Sequence, residues 1–98
     1  MSETSVLERT EVKIKEPRKF KVVIHNDDFT PIEFVIQLLI THFEKTPDEA
    51  VNLTMTIHEE GKGIAGVYNK EIAQQKVTDA TDDAVGYGFP LKIVAEPV

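Results

Sequence analysis

The sequence predicts an α+β fold: a small α/β sandwich in which a three-stranded antiparallel sheet is covered by three helices, in the order β-α-α-β-α-β. Three observations predict it. Apolar residues form short strand-like runs at 20–24, 63–68 and 91–95. Two helix starts of the same kind, Thr30-Pro31 and Thr46-Pro47, follow the first run in close succession. A third stretch of helical periodicity lies between Asn69 and Gly86. With 98 residues, 41% of them hydrophobic, the chain has the material for one core and one domain. The order of the strands within the sheet does not follow from the sequence.

Each element has its own local reason. Residues 1–17 mix Glu, Lys and Arg with scattered Val6, Leu7, Val12 and Ile14, and Pro17 closes them. No apolar period is sustained there, so they read as a mobile N-terminal arm ahead of a core domain at 18–98. In the first strand Phe20, Val22 and Ile24 alternate with Lys21, Val23 and His25, and Val23 implies partial cover on the second face. Asn26-Asp27-Asp28 breaks it. Thr30 is the expected N-cap of the first helix, with Pro31 at N1 and Glu33 reaching back from N3. That helix runs to about Glu44, and Ile32, Val35, Ile36, Leu39 and Phe43 form its main stripe. Phe34, Leu38 and Ile40 widen the stripe, so the helix must be covered on two sides or line a cavity. Thr46-Pro47-Asp48-Glu49 opens the second helix, which carries Ala50, Leu53, Thr54, Ile57 and His58 along one side. It ends at Glu60, before a left-handed cap at Gly61. Asn69 caps the third helix, along which Ile72, Ala73, Lys76, Val77, Ala80 and Ala84 recur. Gly86-Tyr87-Gly88 stops it, and the last strand places Leu91, Ile93 and Ala95 on one face.

The net charge of -6 argues against general affinity for a nucleic-acid backbone. With no cysteine, disulfides and thiolate metal sites are excluded. No apolar run approaches the roughly 20 residues of a membrane span. The start Met1-Ser2-Glu3-Thr4 lacks the basic and apolar regions of a secretory signal, which makes a cytoplasmic location the expectation.

Chemistry concentrates in His25-Asn26-Asp27-Asp28-Phe29-Thr30-Pro31, where polar groups meet a strongly apolar helix. Asp27 and Asp28 invite three functional readings. As a general acid/base pair they lack a nucleophile or second catalytic group. As metal ligands with His25 or His58 they lack any established spacing. As hydrogen-bond acceptors they suit a ligand with a cationic head and an apolar side group. The plainer alternative is that one Asp caps a turn while the other faces water. His58, near a helix C-terminus, has an equally plain reading as a partner of backbone carbonyls or of the helix dipole.

Four stretches together resemble the ClpS family. Asn26-Asp27-Asp28-Phe29-Thr30-Pro31-Ile32-Glu33-Phe34-Val35 is similar to its signature, and His58-Glu59-Glu60-Gly61-Lys62-Gly63 to its second motif. Gly66-Val67-Tyr68 followed by Glu71-Ile72-Ala73 and Lys76 resembles a third, and Pro90-Leu91 the last. Order and spacing fit from about Phe20 to the end. The resemblance implies an adaptor without catalytic residues, metal or cofactor. ClpS proteins bind proteins whose first residue is Leu, Phe, Tyr or Trp (N-degrons) and deliver them to a AAA+ unfoldase, ClpA or a relative, which feeds the protease ClpP. It implies a small α/β domain, by default a monomer, whose N-terminal arm enters the unfoldase pore.

By the same resemblance, Asn26, Asp27 and His58 surround the cationic α-amino group, while Asp28, Thr30 and Pro31 shape the loop and the approach of the peptide backbone. Ile32, Val35, Thr54, Ile57 and Leu91 wall the pocket for the first side chain, and Glu71 and Lys76 dock on the unfoldase. Two positions depart from the family pattern: Ile32 and Thr54 stand where many relatives carry Met. A stiff β-branched group and a smaller polar one replace two flexible side chains, so a changed ranking of first residues is expected. The competing readings are a non-catalytic surface interaction module that leaves Asn26, Asp27 and His58 without a ligand, and a small metal-dependent hydrolase.

Overall fold

Strand β1, Lys19–His25, alternates as expected, yet Val22, Val23 and Ile24 are all buried. The reason is its central place: in the computed structural model, which describes residues 18–98, the sheet order is β2-β1-β3. Both neighbours, β2 (Lys62–Asn69) and β3 (Lys92–Pro97), pair antiparallel with β1. The expected arm, 1–17, lies outside the described residues. Val22 and Ile24 face the main core, whereas Val23 points to the opposite face. A register shift opposite Val22/Val23 leaves Ala65 as the extra residue of β2, a bulge whose small side chain joins the core.

Helix α1 spans Ile32–Phe43, α2 Pro47–Glu60 and α3 Lys70–Gly86. Helix α3 packs on all three strands, and α1 packs on both α2 and α3. The wide apolar stripe of α1 is explained by these two neighbours, and Val35, Leu38, Leu39 and Phe43 are buried. The inward face of α3 is made of Ala73, Ala80 and Ala84, small enough to let the helix lie close to the sheet. Ile72, expected on that stripe, is 47% exposed, because it stands one position off the alanine face.

The expected Thr30 cap of α1 is not formed. Pro31, in extended conformation, is the cap residue, the helix begins at Ile32, and no side chain caps it. The hydroxyl and backbone N–H of Thr30 both donate to the Asp27 carboxylate, so the N–H that Glu33 was expected to receive is already taken and Thr30 is held to the loop instead of the helix. The second start behaves as expected. Thr46 Oγ1 accepts from the Glu49 N–H at 3.2 Å and the Glu49 carboxylate accepts from the Thr46 N–H at 2.9 Å. These bonds hold the Glu49 carboxyl below its usual value. Gly61 ends α2 at φ 92, as its sequence position predicts. Asn69 caps α3 through its bond from the Ile72 N–H. Leu91 is buried but precedes β3, which runs on to Pro97.

Candidate functional site

The loop after β1 is built around Asp27. Its Oδ1 accepts from the backbone N–H groups of Phe29 and Thr30, each at 2.7 Å, and its Oδ2 accepts from the Thr30 hydroxyl at 2.8 Å. Partial burial raises the Asp27 pKa, but the three donors outweigh it and hold the carboxyl below its ordinary range. Three of the roughly four acceptor positions of the carboxylate are thereby used. Asp28 is exposed and has no side-chain partner among the described residues. The adjacent carboxylates are thus unlike: one folds the loop, the other faces outward.

A second tie sets the loop against α2. The Asn26 N–H donates to the Gly61 carbonyl at 2.9 Å, across the junction between the α2 cap and β2. His58 lies in the last turn of α2, three residues before Gly61, and is exposed. The expected Asn26, Asp27 and His58 therefore stand at the same end of the domain, brought there by the β1–β2 register and the Gly61 turn. Gly61 was not among the expected site residues. Its signal was the glycine joining a helix end directly to a strand.

Of the residues expected to receive an apolar side chain, all but Ile32 are buried. Val35, Ile57 and Leu91 belong to the main core and Thr54 is 2% exposed, while Ile32 at the start of α1 is 41% exposed. Gly63 sets the position of Ile57: a β-carbon on it would stand 2.8 Å from Ile57 Cγ1 and 3.1 Å from Leu53 Cδ1. Leu91 is held from the other side. Phe34 of α1 packs edge-on against Phe89 at 4.9 Å and tilted against Tyr87 at 5.5 Å, which anchors the turn before Pro90-Leu91 next to the first turns of α1.

Glu71 and Lys76 of α3 are not equivalent. Glu71 is exposed in the first turn of the helix. Lys76 Nζ donates to the His42 carbonyl at 2.8 Å, lies 3.9 Å from Glu44 and sits 5.6 Å above the Tyr68 ring. It serves the unpaired carbonyls at the C-terminus of α1. Burial, followed by the Glu44 charge, raises the Tyr68 pKa. His42 Nε2 and Asp83 Oδ2, 2.9 Å apart, add a second link from α1 to α3.

A cleft of about 360 Å³ opens elsewhere, where α2 lies beside the β2 edge, lined by Lys21, Val23, Leu53, Thr56, Lys62 and Ile64 among others. None of the candidate residues lines it. Among the described residues no group of three His, Asp or Glu can hold a metal ion, and no helix is long and apolar enough to cross a membrane.

Comparison with known proteins matches residues 15–94 to the family model of the ATP-dependent Clp protease adaptor protein ClpS. The chain is 45% identical over 94 residues to the ATP-dependent Clp protease adapter protein ClpS of Deinococcus radiodurans, covering 96% of this chain and 81% of that protein. It is 44% identical to its counterpart in Burkholderia mallei, covering 96% and 90%. Among solved structures, Agrobacterium tumefaciens ClpS2 bound to L-phenylalaninamide superposes with a TM-score of 0.82 at 37% identity, covering 85% of this chain and 100% of that one. The fold, the ordered motifs and these matches agree, and the chain belongs to the ClpS family of ATP-dependent Clp protease adaptors, which act by binding and not by catalysis.

Proposed function

We propose that the domain captures proteins whose first residue is Leu, Phe, Tyr or Trp and delivers them to a AAA+ unfoldase, ClpA or a relative, for degradation by ClpP. The observation that supports this reading is the bond from the Asn26 N–H to the Gly61 carbonyl, which ties the Asn26-Asp27-Asp28 loop to the end of α2 that carries His58, within one turn of the buried Thr54 and Ile57. A free α-amino group, with a pKa near 8, is mostly cationic at neutral pH and offers three donors. Asn26, the remaining acceptor position of Asp27 and a His58 ring nitrogen receive them, with Asp28 adding negative charge at the rim. Each charge-assisted bond contributes about 1.5–3 kcal/mol. Burial of the first side chain contributes about 1.5–3 kcal/mol more. Internal peptide bonds have no primary amine, so only chain ends satisfy both halves. L-Phenylalaninamide, bound by the Agrobacterium relative, joins a free α-amino group to a Phe side chain, and this supports the assignment.

Ile32 stands at the mouth of the pocket, Thr30 and Pro31 set the loop beside it, and Glu71 contributes to docking on the unfoldase. The domain acts as a monomer, with the arm at 1–17 entering the unfoldase pore. Fluorescence anisotropy at neutral pH tests the central claim. Labelled peptides beginning with free Leu or Phe should bind, and N-acetylation, which removes the cation, should abolish binding. Equal binding of free and acetylated forms, or binding of neither to folded protein, would favour a surface module that ignores chain ends.

A further inference from the structure

Asp28 and His58 are exposed and reach solvent, but among the described residues Thr54 is a buried side chain of the candidate site whose polar atom has no partner. It is 2% exposed, and its hydroxyl oxygen is buried with no hydrogen-bond partner. Nearly all buried polar groups in folded proteins are paired, so an orphan hydroxyl needs a ligand or a water. Its own helix provides the contrast. Two residues on, the Thr56 hydroxyl donates to the Asn52 carbonyl four residues back at 3.2 Å, the usual bond of a helical threonine. Thr54 makes no such bond to the Ala50 carbonyl. Thr54 lies with Ala50 and Ile57 on the buried face of α2.

Thr54 also lies one helical turn below His58, about 6 Å along the axis at four residues of 1.5 Å each. A first residue whose amine sits beside His58, and whose side chain runs down this face, brings the far edge of an aromatic ring to the level of Thr54. Phenylalanine presents only carbon there, and leucine falls short. Tyrosine presents a hydroxyl, which can donate to the Thr54 oxygen or accept from it, so the pair forms in either sense. We infer that Thr54 is a specificity-determining residue whose hydroxyl pairs with the phenol of an N-terminal tyrosine and ranks Tyr above Phe. This inference rests on the N-terminus-binding function proposed above.

Thr54→Val is the direct test, because it keeps the shape and removes the hydroxyl. Two peptides identical except for a first residue of Tyr or Phe are titrated by fluorescence anisotropy, each also in its acetylated form. The parent should bind Tyr about five- to tenfold more tightly than Phe, the value of one net hydrogen bond. Thr54→Val should bring the ratio to about one or below, and Thr54→Ser should keep the preference. A thermal melt checks that both variants are folded. Amine-dependent binding of both peptides with no Tyr preference in the parent, or with the same ratio in Thr54→Val, would overturn the role of Thr54 and leave the proposed function standing; the hydroxyl would then serve a buried water. Binding of neither peptide to folded parent would overturn the proposed function and the inference together.

Discussion

Asp27 carries two demands at once, and its hydrogen bonds decide which is met first. Three donors from Phe29 and Thr30 hold its carboxylate and depress its pKa. Because the folded value is lowered, this contribution to stability is complete above the ordinary carboxylate range near 4 and is lost as pH falls through the folded value. Asp27→Asn should therefore be less stable than the parent at pH 7, and the gap should close as pH drops below about 4. Urea midpoints across that range measure it, and a gap constant with pH would remove the ionised carboxylate from the account. At Ile32, proposed to stand at the mouth of the pocket, the expected effect is on selection instead. Ile32 is 41% exposed, so Ile32→Met should change stability by less than about 0.5 kcal/mol. It exchanges a stiff side chain for a flexible one, so the ranking of Leu, Phe, Tyr and Trp peptides should shift, and an identical ranking would show that Ile32 does not shape the pocket.

At the scale of elements, α1 and α2 begin with the same dipeptide and start in different ways. Thr46 closes a capping box with Glu49, while Thr30 is drawn back to Asp27 and leaves Pro31 as the cap residue. The C-terminus of α1 is also served from outside, by Lys76 of α3. Lys76→Met should destabilise the domain by about 1–2 kcal/mol through loss of that charge-assisted bond. Glu71→Gln, on an exposed position of the same helix, should leave urea stability unchanged and weaken binding to the unfoldase in a direct titration. Weakened unfoldase binding in Lys76→Met at unchanged stability would instead make Lys76 a surface docking residue.

For the whole molecule, the order β2-β1-β3 means that the first strand is completed only when the last one returns. Strand β3 pairs with β1 along Phe20–His25 and brings Ile93 into the core next to Leu91. Removal of residues 91–98 should abolish cooperative unfolding, seen as loss of a sigmoidal melt by circular dichroism. The exposed edge of β1 would be left to aggregate. Retention of a sharp transition would mean that the helices and the β1–β2 hairpin suffice.

Local signals were enough for the elements and for the residue types of the site. Alternation, the Thr46 box, Gly61, Asn69 and the Gly86-Tyr87-Gly88 stop all act within a few residues, so the sequence alone determined where strands and helices lie and which polar and apolar groups meet at Asn26–Val35. Competition between partners, and contacts distant in sequence, were decided by the tertiary structure. Thr30 could not be known to serve Asp27 before the loop closed, nor Lys76 to serve His42 before α3 lay beside α1. The central place of β1, which buries Val23 as well as Val22 and Ile24, depended on which strand edges met. The orphan hydroxyl of Thr54 depended on the same kind of event: periodicity places it on the inner face of α2, but only packing buries it away from every protein partner.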